Sequence, residues 1–491
     1  MSPNPSLLEI NTRVWIKQFG SDAGLSDISE EFLDDVTSKG IEILWFMGIW
    51  KTSRTLAEKN CFGIDLIPSY TKALNNWRKE DVIGSPFAID DYIVNPDLGN
   101  QQDLIEFKKR LNKRNIKLFL DFIPNHFGAD SPLLKSDPEV FLQTDEETFS
   151  KDPYAFFKYC SSNPIYVAHG RDPFFPPWSD TAQLNYFEQK TRELMIKKLL
   201  YIASVADGVR CDMAMLPLNN VFNNTWLGVL NKSGYKKPGT EFWKTAIEKT
   251  KEKNPDFIFM AEAYWDLQWQ LQQLGFDYTY DKTLTDRLSE GDISGIKAHL
   301  HADREFQMKS VRFIENHDEE RAVTKYGRYR SLAAAVVMST VQGLRLYYEG
   351  QFEGRKTRLP VQLGREPVEK VSLPVQKFYD DLLKITHKDV FKSGTWKLIN
   401  PEPADPSNST WENFLSWQWS LDGELGIVVI NYSHSISQCR IKWDLSTLKE
   451  EIQLKDLLSG MSYKRRVAEI NDRGLFIELK PYQSHIFSID L

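Results

Sequence analysis

Cysteine is scarce in this sequence. Four cysteines (Cys61, Cys160, Cys211 and Cys439) are spread over 491 residues, with no CxxC pair. That speaks against a disulfide scaffold or a zinc ribbon and predicts a reducing, cytoplasmic address. Positive charge is in deficit too. Lys+Arg number 61 against 68 Asp+Glu, a net charge of −7, so no bulk basic field exists to hold nucleic acid or an anionic membrane. Long apolar runs are missing. The best, Leu332–Met338, falls far short of the roughly 20 residues that cross a bilayer. The opening MSPNPSLLEINTRVW lacks the basic start and apolar stretch of a secretory signal. No P-loop, GxGxxG or HExxH motif occurs, which leaves nucleotide and zinc-protease chemistry without support.

What is present is a rhythm. Short β-branched or aromatic runs alternate with amphipathic helical patterns over the first 390 residues. The runs that read as strands are Arg13–Phe19, Glu42–Gly48, Lys117–Pro124, Gly208–Met213, Phe257–Ala263, Asp277–Tyr280, Ser310–Glu315 and Arg345–Tyr348. Helical patterns include Asp103–Lys113, Gln189–Ala203, Glu241–Lys253, Ile293–Phe306, Tyr329–Val341 and Leu373–His387. This predicts an α/β fold, a closed (β/α)8 TIM barrel over residues 1–390, with an open doubly wound sheet as the rival. Two connections are long, Lys51–Asn100 and Phe127–Glu188. The second reads as a lid or subdomain over 127–188, inserted after the third strand and rich in proline and aromatics. Beyond residue 390 the pattern changes to period two, with turns at Asp422-Gly423 and Asn471-Asp472. That predicts a C-terminal antiparallel β-sandwich over 391–491.

In a (β/α)8 barrel the reacting groups lie at the C-terminal ends of the strands. There the sequence places Asn125 and His126, Asp212, Glu262, and Asn316-His317-Asp318. Arg210 and Asp212 are two apart and share one side of their strand, while Cys211 faces the helix layer as a small buried hydrophobe. An arginine beside Asp212 keeps it ionised, and Asp121 on the neighbouring strand is placed to hold Arg210. Glu262, set among apolar residues, is positioned to be protonated. One ionised and one protonated carboxylate suit a retaining glycosidase, and His126 and His317 can hydrogen-bond sugar hydroxyls. Taken singly, each residue has a plainer reading: a strand-end aspartate is usually a helix cap, and Glu315–Glu320 a solvated face.

Joint order gives the set its weight. DFIPNH, DGVRCD, FMAEAYW and FIENHD resemble, in sequence order and spacing, the four motifs of the α-amylase superfamily of retaining α-glycoside enzymes. LKPYQSHIFSI resembles that family's terminal β-domain. The resemblance implies Asp212 as nucleophile, Glu262 as acid/base and Asp318 as the third acid gripping the sugar's hydroxyls. It implies Arg210 as the residue that positions the nucleophile, and His126 and His317 as lining the subsite of the cleaved sugar. Departures are equally specific. Met215 and Leu216 stand where family α-amylases often carry Lys-His. Phe87, in SPFAIDDY, stands where a tyrosine stacks on the sugar. Gln183, in TAQLN, stands where aspartate is usual. The last change weakens the family's calcium site, to which Asn125 would contribute, so no metal or other cofactor is expected. Among 13% aromatic residues, Phe87, Trp178, Tyr264 and Trp265 fall near strand ends and are the candidates for sugar contact, whereas Trp417 and Trp419 read as structural.

The expected activity is hydrolysis of short α-linked glucosides or oligosaccharides, with carbohydrate as the one expected partner. Two alternatives remain: an α-glucosyl transferase or phosphorylase on the same fold, and a non-catalytic carbohydrate-binding or partner protein of amylase-like fold. Linkage, sugar identity and oligomeric state are left open by the sequence.

Overall fold

A computed structural model describes residues 1–160, 163–443, 445 and 450–490. Eight parallel strands close into a barrel: β1 (Ser6–Asn11), β2 (Ile43–Met47), β3 (Lys117–Phe122), β4 (Gly208–Cys211), β5 (Ile258–Ala261), β6 (Tyr278–Tyr280), β7 (Ser310–Arg312) and β8 (Leu344–Tyr348). Each strand pairs with its sequence neighbours, and β8 closes on β1 with Ser6 opposite Arg345. The strands are apolar on both faces because both faces are covered. Alternation then sorts the side chains. Leu7, Ile43, Trp45, Phe119, Met260, Tyr280 and Val311 fill the barrel interior. Their neighbours Leu8, Leu44, Phe46, Leu118 and Leu120 join the core beneath the helices.

The helix Gln101–Asn112 shows how sequence sets an element of the outer ring. Asn100 accepts from the backbone N–H groups of Gln102 and Asp103, and Asp103 accepts in return from the Asn100 N–H. This capping box fixes the start, and Leu104, Phe107 and Leu111 supply the buried stripe.

Two readings of the sequence need correction. Arg13–Phe19 is not a strand but a helical turn, Thr12–Trp15, running into a 3-10 turn, Ile16–Phe19. The first strand is the preceding SLLEIN, whose six residues are all buried and so show no alternation to read. The Arg13 guanidinium instead pins the chain where it leaves the barrel, donating to the carbonyls of Gly84 and Val361. The helix read as Ile293–Phe306 is two, Ile293–Leu300 and Arg304–Met308, because Asp303 caps a new start by accepting from the Glu305 N–H.

The described residues of the long connections carry their own secondary structure. In the first, Trp50–Thr52 pairs with Ile89–Val94. In the second, His126–Gly128 pairs with Thr181–Gln183, and three short strands form a small antiparallel sheet, with Ile165–Ala168 between Gln143–Thr144 and Phe156–Tyr159. After the barrel comes a six-stranded sheet in the order Thr395–Leu398, Phe414–Leu421, Glu424–Asn431, Ser484–Asp490, Glu451–Asp456, Ser462–Arg466. All its pairings are antiparallel. A two-stranded sheet of Ser437–Ile441 and Leu475–Leu479 shares a core with one face of it. The other face, with Trp417 and Trp419, packs into the barrel's core, and Trp419 Nε1 donates to the Thr340 carbonyl at 2.7 Å. Asp422 and Gly423, both at positive φ, make the two-residue turn between its longest strands, as the sequence predicts.

Candidate functional site

Arg210 is the centre of the C-terminal rim. It sits in β4, in register with Asp121 of β3 and Met260 of β5, with its side chain fully buried. Its Nη1 lies 2.7 Å from Asp212 Oδ1 and its Nη2 2.8 Å from Glu262 Oε2. Rings of Trp45, Phe87 and Tyr280 surround it, with centroids 5.1, 5.3 and 5.8 Å from Cζ. A buried guanidinium needs paired anions, and the sequence provides them just past the ends of β4 and β5. The two carboxylates are therefore neighbours flanking one cation.

Burial pushes both Asp212 and Glu262 above the usual carboxylate range, with Arg210 pulling the other way. Each of the two also feels the negative charge of Asp318. Glu262 is further held by the Met213 N–H at 2.7 Å on Oε2 and by the Tyr264 hydroxyl at 2.8 Å on Oε1. Met213 is at φ 42° and Trp265 at φ 59°, so the chain turns sharply just after each carboxylate. Asp318 differs. Its side chain is 45 % exposed, against 9 % for Asp212 and 4 % for Glu262, so it forms the open lip of the site. Burial works to raise its pKa, but the adjacent His317 outweighs that and holds it well below the usual range.

The histidines have opposite characters. His126, at the start of a short strand, is pushed down to about 3 by burial and is neutral, with Nε2 unpartnered. His317 is buried against carboxylates and held well above the ordinary imidazole value: burial opposes this, but Asp318 and Glu9 prevail. Phe87 packs 5.5 Å from the His317 ring and 5.3 Å from Arg210, at the floor of the site. Trp178 sits 5.3 Å from the His126 ring. Trp265 is turned onto the exposed Phe174, ring to ring at 5.1 Å, which places it on the rim beyond Tyr264.

Asp121 faces Arg210 as the sequence expects, at 3.9 Å, the limit of an ion pair. Its carboxylate also accepts from Trp45 Nε1 and the Gly48 N–H, both at 3.1 Å, and burial raises its pKa to about 7, with Arg210 pulling it down. Asn125 is bound by Gln183. The Gln183 Nε2 donates to the Asn125 carbonyl, Asn125 Oδ1 and the Leu184 carbonyl at 2.9, 3.0 and 3.0 Å. Two of these are backbone carbonyls, which only accept, so the amide nitrogen must face them. A calcium ion would need those same oxygens, together with anionic ligands. The residues present do not fit one, because an amide N–H2 already fills the place of the cation.

Sequence reasoning missed Glu9, Trp45 and Tyr280. Glu9 carried a signal, a lone acid in an apolar run, since a fully buried carboxylate must have a partner. Misplacing the first strand hid it.

Fold and rim together define a (β/α)8-barrel protein with three acidic residues gathered at its C-terminal rim. The family profile "Alpha amylase, catalytic domain" matches residues 66–372. The chain belongs to the alpha-amylase family. It is similar to the alpha-amylase MalA of Haloarcula japonica, 22% identical over 354 residues, which covers 70% of this chain and 47% of that protein. It is also similar to the alpha-1,4-glucan:maltose-1-phosphate maltosyltransferase of Picrophilus torridus, 24% identical over 54% of this chain and 38% of that protein. The matched region thus spans about half or less of these relatives. The fold matches the crystal structure of a maltogenic alpha-amylase, AmyB, from Thermotoga neapolitana, with a TM-score of 0.71 at 20% identity, covering 100% of this chain and 99% of that one. Among the described residues, no helix is long and apolar enough to cross a membrane.

Proposed function

We propose that this protein hydrolyses short α-linked glucosides or oligosaccharides with retention of configuration. One observation carries the reading: a single buried guanidinium bridges Asp212 and Glu262, at 2.7 and 2.8 Å. Arg210 favours the ionised form of each carboxylate while burial and the neighbouring acids oppose it, a balance that suits one ionised and one protonated acid. In the proposed first step an oxygen of Asp212 bonds to the anomeric carbon as the glycosidic C–O bond breaks, and Glu262 gives its proton to the leaving oxygen. In the second, Glu262 takes a proton from water, whose oxygen displaces Asp212. Asp318, open at the lip, and the unpartnered His126 Nε2 are placed to grip ring hydroxyls. Asp212→Asn tests the scheme. Turnover of an aryl α-glucoside should fall by about a thousandfold or more, and NMR of the wild-type reaction should show the α-anomer of the product first. Full turnover by the variant, or a β-anomer, overturns it.

A second reading, transfer to an acceptor other than water, is favoured by one feature. Met215 and Leu216 are both buried, so the positions where the family often carries Lys-His lack the polar groups that hold a leaving-side glucose, and the leaving side is not built as in starch-cleaving members. The similarity to a maltosyltransferase points the same way. Product analysis with and without inorganic phosphate or free maltose separates the two, and sugar binding with no turnover would indicate the non-catalytic alternative.

A further inference from the structure

His317 lies between two carboxylates. Its Nδ1 is 2.5 Å from Glu9 Oε1, and its backbone N–H also points at that oxygen, at 3.4 Å. Its Nε2 is 3.1 Å from Asp318 Oδ2, an ion-pair separation without an aligned hydrogen bond. Glu9 comes from β1 on the opposite side of the chain's sequence. Leu7 faces the barrel interior, so the alternation of the strand brings Glu9 and Asn11 to the same side. Glu9 is fully buried, and its Oε2 has no partner.

We propose that Glu9 is a positioning residue for this site: through His317 it fixes an imidazolium whose Nε2–H serves Asp318 and the sugar hydroxyl bound there. The inference rests on the glycosidase reading for its role in turnover, but not for its chemistry. A carboxylate only accepts, and both ring nitrogens face one, so both must carry hydrogen. Only the doubly protonated ring does so. The charged groups facing His317 agree: Glu9 from β1, Asp121 from β3, Asp212 from β4 and Asp318 beside it are all acidic. Glu9 in turn faces Tyr280, Glu315 and Tyr348, none of which offers it a cation. Nε2–H lies 3.1 Å from Asp318 Oδ2, so a hydroxyl bound at Asp318 comes within its reach. Asp318 and His317 then grip the sugar as acceptor and donor, and Glu9 holds the donor charged and oriented, as an outer carboxylate does for a ligating histidine.

The direction with pH follows. A raised imidazolium loses its proton, and the site its donor, only as pH climbs through the raised value. Replacing Glu9 by glutamine keeps an acceptor for Nδ1–H but removes one of the negative charges. We expect the alkaline limb of the kcat/KM profile for an aryl α-glucoside to move down by about one pH unit or more in Glu9→Gln. The loss should be about tenfold near pH 8 and partly recovered near pH 6. A uniform loss with an unshifted profile would mean a merely structural role and overturns the proposal. A second measurement needs no turnover: in protein labelled with 15N-histidine, the His317 ring, assigned by its absence in His317→Asn, should remain doubly protonated at about pH 8 in the wild type. In Glu9→Gln it should be neutral there. An ordinary titration near 6.5 in the wild type overturns the proposal even where the variant does not fold. If the wild type turns over no glucoside yet His317 stays charged, the functional reading fails and the Glu9–His317 assignment stands.

Discussion

Two buried ion clusters in this barrel look alike as lists of charges and differ in what they leave over. On the outer wall, Arg312 of β7 pairs with Asp281, which also meets His299 Nε2 at 2.8 Å and accepts from the Leu284 N–H. Every Arg312 nitrogen is used, by Asp281, the Gln342 carbonyl and Gln307. At the rim, Arg210, Asp212 and Glu262 are just as buried, yet Arg210 Nε, His126 Nε2 and Glu9 Oε2 have no partner. The first cluster is complete without a ligand. The second leaves polar atoms unspent, and beside them Asp318 stands open to a hydroxyl-bearing ligand. Buried charge alone does not mark chemistry, because structural networks shift pKa values as well. Unspent polar valence at the C-terminal rim does.

The contrast breaks most visibly on turnover. Asp212→Asn should cost about a thousandfold or more in kcat/KM while leaving the protein folded. Asp281→Asn should do the reverse. Leaving the Arg312 guanidinium without its anion should cost about 3–5 kcal/mol in urea unfolding, with kcat/KM of the folded fraction unchanged. If Asp281→Asn lowers kcat/KM selectively, the two clusters are not functionally separate.

The acid side of the comparison has a sign. Burial raises the Asp281 carboxyl, but Arg312 and then His299 outweigh it and hold it below the ordinary value. Such a group adds stability above its unfolded value, about 3.9, which is lost as pH falls through the lower folded value. Asp121 runs the other way. With a folded value of about 7, its favourable contribution is complete below about pH 3.9 and is lost as pH rises to 7. Asp121→Asn should therefore raise the melting temperature relative to wild type more at pH 8 than at pH 4.5, whereas Asp281→Asn should lower it more at pH 8 than at very low pH. Equal shifts at both pH values for Asp121→Asn would show that the carboxyl is not held up by burial.

The barrel was legible because its strands and helices carry different periods, eight strands alternating with helices. Asp212, Glu262 and Asp318 fall at strand ends, and the resemblance of their segments to the family's ordered motifs singled them out. What was hidden depended on side chains crossing the barrel. Glu9 meets His317 across 308 residues of sequence, and Trp45 reaches Asp121 across 76. No local pattern records such pairs. The first strand was misplaced for a related reason: a strand buried on both faces has no alternation, and the neighbouring VWIKQF imitates one. Adjacency in the sheet placed Asp121 beside Arg210, at 3.9 Å, but its hydrogen bonds to Trp45 and Gly48, from the neighbouring β2 segment, were not readable from sequence.

The smallest expected effect lies where the chain departs from its family most clearly. At Gln183 an amide nitrogen meets three oxygens at 2.9 to 3.0 Å, the kind of convergence that elsewhere surrounds a cation. The amide nitrogen is fully engaged, as the Arg312 guanidinium is, while Gln183 Oε1 has no partner. Gln183→Leu keeps much of the volume but takes their donor from Asn125 Oδ1 and the Leu184 carbonyl, while the Asn125 carbonyl keeps the Leu184 N–H; the loss should cost about 1–3 kcal/mol. Because Asn125 adjoins His126, part of that loss should appear as a higher KM. The wild type should melt at the same temperature with and without EDTA, since the oxygens a metal would use are already engaged. A drop in melting temperature on chelation, restored by added calcium, would show instead that the Gln183 amide turns aside for a cation, and would place this segment with the unfinished rim.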